Sequence, residues 1–197
     1  TQQHYPLPWR GGPVRLTQGA NGKYSHFTPK GRYAMDIAMP EGTPIVAARS
    51  GVVVKTENNQ SGRGSDPSGN FVRVLHDDGT QGVYLHLKQG SVSVRAGQRV
   101  AVGSALGLSG NTGNSSGPHL HFSVQVNQGM RLASIPFRMI GPRGCVNRWM
   151  HRYLPQERLV LLRNRAREKG GEPIGPSPFF RHPPRVSGAR HVPAGVI

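Results

Sequence analysis

The stretch Ser116-Gly117-Pro118-His119-Leu120-His121-Phe122-Ser123-Val124-Gln125-Val126 decides the fold of this chain. A Gly/Asn/Ser-rich turn over 110–117 runs into a proline and then into alternating polar and apolar residues, the pattern of a strand with one buried face. Side chains two apart on a strand point the same way. His119 and His121 therefore share a face, while Leu120 and Phe122 turn towards the core. Two imidazoles on one rigid surface suit a metal site, one as ligand and the other held just beyond the coordination sphere. The alternative is a His-x-His on a solvated strand face, since histidine serves at surfaces and as a ligand alike.

Outward from this stretch the chain reads as short strands separated by turn residues. Strands are expected at 14–16, 33–39, 45–48, 52–55, 71–75, 81–87, 91–94, 97–100 and 105–109, with a last one over 130–140 interrupted at Pro136. His76-Asp77-Asp78-Gly79-Thr80 is a hairpin signal through Asp-Gly, with a hydrogen-bonding role for His76. In the run 81–87, strict alternation puts Tyr84 and His86 on one face, with Tyr84 expected in core packing. Gln18-Gly19-Ala20-Asn21-Gly22 reads as a turn cluster. The polar loop 58–69 has no periodicity and, with 109–117, is expected to wall a groove. Asp36 is the anomaly: it sits inside the apolar run Tyr33-Ala34-Met35-Asp36-Ile37-Ala38-Met39, where an unpaired charge is costly. It is a metal ligand or the partner of a structural ion pair.

The expected fold class is all-β, a compact antiparallel sheet or barrel-like domain over 14–140. A proline-rich segment over 1–13 precedes it, extended along the surface. A basic, mostly irregular tail over 141–197 follows, with a helix over 156–169 and disorder over 170–197. Hydrophobic residues make up 35% of the chain, and Gly (27) and Pro (17) are abundant, which favours turns and short strands over helices. No apolar run approaches the ~18 residues a membrane helix needs. Cys145 is the single cysteine, so no internal disulfide forms, and an incidental thiol is expected. A start at Thr1 is that of a processed mature form or of a piece cut from a longer chain; a processed form suits a secreted, periplasmic or cell-envelope setting.

The residues with metal chemistry are His26, Asp36 and His121, joined by His86 and His119; catalytic zinc sites use such ligands in threes and leave a fourth position to water. His4, His151, His182 and His191 lie in poor contexts. The segments Gly-Lys-Tyr-Ser-His26, Tyr-Ala-Met-Asp36, Pro-Glu-Gly-Thr-Pro-Ile-Val-Ala-Ala, Gly-Val-Tyr-Leu-His86-Leu, Gly-Gln-Arg-Val and Gly-Asn-Thr-Gly-Asn-Ser-Ser-Gly-Pro-His119-Leu-His121-Phe occur in one order. That order resembles the lysostaphin-type (LytM-like) zinc metallo-endopeptidases, over roughly residues 10–140. The resemblance implies a duplicated hybrid motif β fold and hydrolysis of peptide crosslinks in bacterial cell-wall peptidoglycan. It implies Zn²⁺ held by His26, Asp36 and His121, with His86 and His119 as catalytic histidines outside the ligand set. His119 is then the candidate general base, and His86 steadies the oxyanion or protonates the leaving amine. Many family members space the first His and the Asp four residues apart, whereas here nine residues, Phe27 to Met35, intervene. A loop must therefore fold back to bring His26 to the metal.

Two rival readings exist. A catalytically silent relative that regulates other wall hydrolases would lack one or more of the ligands, and this chain has all three plus both accessory histidines. The net charge of +16 allows binding to anionic polymers, either wall polymer or lipopolysaccharide. The basic residues of 1–140 are scattered and not interleaved with aromatics, which argues against a specific nucleic-acid partner. A monomer is expected.

Overall fold

The computed structural model describes residues 3–11, 14–141 and 144–145. Among them there are thirteen strands and no helix. In chain order the strands are β1 (Gln3–Pro6), β2 (Arg15–Gln18), β3 (Met35–Ala38), β4 (Pro44–Val46), β5 (Gly51–Glu57), β6 (Asn70–Leu75) and β7 (Thr80–Leu87). Then follow β8 (Arg99–Val100), β9 (Ala105–Leu108), β10 (His119–Gln128), β11 (Arg131–Ser134), β12 (Phe137–Gly141) and β13 (Gly144–Cys145). The histidine stretch forms β10, the longest strand, at the centre of the main sheet. That sheet runs β2-β3-β10-β7-β6-β5-β8, with β11 paired to the far end of β10. All its pairings are antiparallel.

The alternation in β10 divides the sheet into two faces. Leu120, Phe122 and Val124 are fully buried on the core side. Two smaller sheets, β4-β9 and β1-β12-β13, contribute to the same core. Ile45 and Leu106 come from the first, and Tyr5, Phe137 and Met139 from the second. The Phe122 ring meets Tyr84 at 5.1 Å and Phe137 at 5.3 Å, with Tyr5 at 6.2 Å. Such edge and tilted contacts add to the energy of burial alone. The opposite face carries Asp36, His119 and His121.

Four expectations change. The described part of the N-terminal segment, 3–11, does not simply lie along the surface: β1 pairs in parallel with β12, and Tyr5 is fully buried, its hydroxyl 3.0 Å from Thr80 Oγ1. No strand forms over 91–94; side chains and loop backbone hold it instead, with Val92 N–H donating to Asn58 Oδ1 at 3.0 Å. The run 130–140 is two strands in two sheets, β11 on β10 and β12 on β1, because Pro136 has no N–H to continue a ladder. Gln18, read as part of a turn, is the last residue of β2. The helix expected over 156–169 and the disorder expected over 170–197 lie outside the described residues.

Tyr5→Ala removes a buried ring and its hydrogen bond. The expected loss is about 3–5 kcal/mol of unfolding free energy, measured by chemical denaturation.

Candidate active site

Strand register builds the site. Asp36 on β3 lies directly opposite His121 on β10, and Gln18 on β2 lies opposite Asp36. A bulge between Leu16 and Gln18 sets that last pairing, so Gln18 turns its side chain to Asp36 while the Thr17 hydroxyl donates to the Asp36 carbonyl at 3.0 Å. The loop between β2 and β3 folds back as the nine-residue spacing requires and buries the His26 ring completely.

The Asp36 carboxylate is the hub. Its Oδ1 is 2.8 Å from His121 Nδ1, 3.2 Å from His26 Nε2 and 3.8 Å from His119 Nε2. Its Oδ2 accepts from Gln18 Nε2 at 2.8 Å. Burial opposes charge on Asp36, but the imidazoles beside it, His121 foremost through its hydrogen bond, outweigh burial and hold the carboxyl well below the usual carboxylate range. The ligand atoms of His26, Asp36 and His121 all lie within 4.8 Å of one another, close enough to share one metal ion.

Three of the rings have their Nδ1 fixed by backbone carbonyls. His26 Nδ1 donates to Gly19 O, His119 Nδ1 to Gly117 O and His86 Nδ1 to Thr112 O, each at 2.8 Å. A carbonyl only accepts, so in the neutral ring the proton is on Nδ1 and the Nε2 lone pair is bare. Ser115 Oγ, 3.0 Å from His119 Nδ1, backs the same arrangement.

His26 shows what this implies. Its buried Nε2 has no hydrogen-bond partner although it faces Asp36 Oδ1 at 3.2 Å. Two acceptors turned on each other in a buried site repel unless a cation lies between them. The donor set of two imidazoles and one carboxylate suits zinc and leaves a fourth position open.

His86 reaches this face by a different route from the one expected. Strict alternation would place it beside Tyr84, and Tyr84 is in the core: fully buried, its hydroxyl accepts from Ala48 N–H at 2.8 Å, and burial pushes its pKa up. At His86 the backbone takes φ +64° and the period breaks. The ring swings to the other face, 4.6 Å from His119 and 5.9 Å from His121 between centroids. Leu87 then returns to the core, fully buried. Burial, with His119 and His121 beside it, pushes the His86 pKa down to about 3. His76 takes the expected structural part, with Nδ1 donating to Ser50 O at 2.8 Å. His4 lies in β1, outside this group, and His151, His182 and His191 are outside the described residues.

Gln18 is the participant that sequence reasoning missed. Its Nε2 bonds Asp36 Oδ2 and Ser25 Oγ, both at 2.8 Å, and its Oε1 accepts from the Tyr24 and Ser25 N–H groups at 3.0 and 3.4 Å. One amide thus ties the carboxylate to the loop carrying His26. Nothing in the sequence separates it from a solvated glutamine.

An all-β domain whose sheet face presents two imidazoles and a carboxylate within reach of one ion, with two further imidazoles beside them, has the donor set of a catalytic metal site, and the family match makes it a metallopeptidase. The chain belongs to peptidase family M23, whose model matches residues 30–132. That span takes in Asp36, His86, His119 and His121, and His26 lies just before it. Over 91 residues the chain is 43% identical to peptidoglycan DD-endopeptidase ShyA of Vibrio cholerae, covering 46% of this chain and 19% of that protein. Over 96 residues it is 38% identical to lysostaphin of Staphylococcus staphylolyticus, covering 48% of this chain and 18% of that protein. The chain thus spans about a fifth of the length of these curated relatives. A crystal structure of a zinc-containing peptidase from Vibrio cholerae superposes with TM-score 0.50 at 28% identity, over 68% of this chain and 39% of that one.

Two outcomes are expected of variants here. Gln18→Ala leaves Asp36 Oδ2 and two loop N–H groups short of partners, costs about 1–3 kcal/mol and speeds hydrogen exchange over 19–34. His86→Gly is more stable than His86→Ala by about 1 kcal/mol, because only glycine adopts the left-handed backbone without strain; parallel urea titrations measure the difference.

Proposed function

We propose that this chain is a zinc endopeptidase domain that hydrolyses peptide bonds in the crosslinks of bacterial cell-wall peptidoglycan and works in the cell envelope or outside it. The observation that carries this reading is the buried, unpartnered His26 Nε2 facing Asp36 Oδ1 at 3.2 Å, with His121 Nδ1 2.8 Å from the same oxygen. Cell-wall substrates are supported by the names of the Vibrio and Staphylococcus relatives.

His26 through Nε2, Asp36 through Oδ1 and His121 through Nδ1 would hold the ion. When bound, zinc acidifies a water towards neutrality and polarises the scissile carbonyl. The chain's own residues do the rest. His119 presents a bare Nε2 beside the ligand group, with the Gly117 carbonyl and Ser115 fixing its tautomer. It accepts the proton of the attacking water and passes it to the leaving amine. His86 presents a second bare Nε2 next to the His119 ring. As a neutral acceptor it orients the water or a substrate N–H. The roles of oxyanion stabiliser and direct proton donor suit it less, since its one ring proton is committed to Thr112. A catalytically silent relative would lack ligands of this set, whereas this chain carries all three ligands and both further histidines.

Elemental analysis of the purified chain should find one zinc per molecule, and Asp36→Ala and His121→Ala should lose both zinc and hydrolysis. His119→Ala should keep most of its zinc while hydrolysis falls by about 10²-fold or more. Full digestion of purified peptidoglycan by zinc-loaded His119→Ala would refute the role given to that ring.

A further inference from the structure

The sheet face that carries the histidines holds a second feature, separated from them by the buried Ser123 and Val83. Strand register runs His121 opposite Leu85, Ser123 opposite Val83, and Val83 opposite Arg73. Arg73 therefore shares the face of His121, two strands across and two residues along. At ordinary strand spacing and rise their Cα atoms are roughly 12 Å apart. Lys55 pairs with Arg73 in register and projects to the same side. Around these two cations lies a pocket of about 360 Å³ whose lining also includes Phe71, Asp66 and Ser68. Ser68 joins it to the histidines, because its carbonyl accepts the His86 N–H at 3.1 Å.

Carboxylates act on the two cations only from a distance, Asp66 on both and Glu57 on Lys55. Among the described residues neither Lys55 nor Arg73 has a carboxylate within ion-pairing distance. Burial lowers the Arg73 pKa, with only the more distant charge of Asp66 acting against it. Asp66 is turned to its own loop, where Oδ1 accepts the Ser68 N–H at 2.8 Å. Arg73 Nη1 donates to Gln125 Oε1 at 3.2 Å, which fixes the guanidinium without neutralising it. Both cations lie over the Phe71 ring, Lys55 Nζ at 5.7 Å and Arg73 Cζ at 5.6 Å from its centroid. Cations held beside a pocket by a ring and an amide are pre-organised to receive an anion.

We propose that Lys55 and Arg73, held against Phe71, form a subsite for a carboxylate of the peptide substrate. The bound group lies on an extended chain, about two to four residues from the scissile bond, since such a chain advances by about 3.3 Å per residue. The proposal rests on the hydrolase reading and supplies a basis for choosing among crosslinks: peptides with free carboxyl groups are preferred to their amidated forms.

The test compares crosslinked peptidoglycan peptides carrying free carboxyl groups with the same peptides amidated, using the zinc-loaded full chain. The expected kcat/KM ratio is about tenfold or more in favour of the carboxylate form, carried mainly by KM. It should fall towards one in Arg73→Gln and in the exposed variant Lys55→Gln, whose folding is not in question. Arg95→Gln, the same charge change elsewhere on the surface, should leave it as it was. Binding of both peptides to the His119→Ala protein, followed by calorimetry, gives a readout independent of turnover. Cleavage without discrimination overturns the subsite alone. Discrimination in binding with no cleavage by the wild type overturns the hydrolase reading alone, and the absence of both overturns the two together.

Discussion

The site depends on one oxygen atom. Asp36 Oδ1 is nearly enclosed in an apolar strand, and His121, His26 and His119 converge on it at 2.8, 3.2 and 3.8 Å. Desolvating a carboxylate is costly, and the fold must return that energy through partners. His121 can do so by a hydrogen bond. The bare Nε2 of His26 cannot, and neutral His119 only adds a second lone pair. The number of acceptors aimed at one place exceeds what protons on the rings can satisfy, and a shared cation would resolve the excess. Gln18 completes the arrangement by holding Oδ2, so that Oδ1 alone faces the rings.

What keeps the rings in this state is mostly backbone. The Gly19, Gly117 and Thr112 carbonyls each take an Nδ1 proton, and each lies in a connection between strands. Connections leave carbonyls unpaired by any ladder, so they are free to serve as acceptors for side chains. The glycine- and serine-rich stretch before β10 is therefore part of the chemistry as well as a connection. It supplies the carbonyl that fixes His119, the hydroxyl of Ser115 behind it, and the Thr112 carbonyl that fixes His86. Such outer hydrogen bonds set tautomer and ring direction, and without them the same side chains would have no defined proton acceptor.

The parts of this that were legible in the sequence have a period. Alternation from His119 to Val124 gave the two faces of β10, and Asp36 stood out as a charge in an apolar run. The misses occurred where a period breaks. His86 was assigned to the side of Tyr84 because alternation says so, and one left-handed residue reverses it. A non-glycine residue at φ +64° leaves no mark in a single sequence. Gln18 was hidden for a similar reason, since a bulge sets its register. The burial of Tyr5 was missed because a proline-rich start reads as surface, whereas a parallel edge pairing needs only every second N–H and tolerates Pro6 at its end. Of Lys55 and Arg73 the sequence shows two scattered cations. Only the pairing of β5 with β6 brings them over the one aromatic ring.

These breaks share a physical cause that bears on how the enzyme divides its labour. A strand that alternated strictly through residues 80–87 would commit His86 to the core, where an imidazole is as badly placed as Asp36 would be without its partners. Reversing the strand at one residue exports the ring to the open face and returns Leu87 to the core in the same step. The left-handed residue carries a strain of about 1–2 kcal/mol, which the fixed Nδ1 bond to Thr112 and the burial of Leu87 offset. The same face of the sheet then carries both polar features, the histidine cluster and, two strands away, the Lys55–Arg73 pair. Under the proposed subsite, register alone then fixes how far the recognised carboxylate lies from the histidines, because β10, β7 and β6 are locked in one antiparallel ladder.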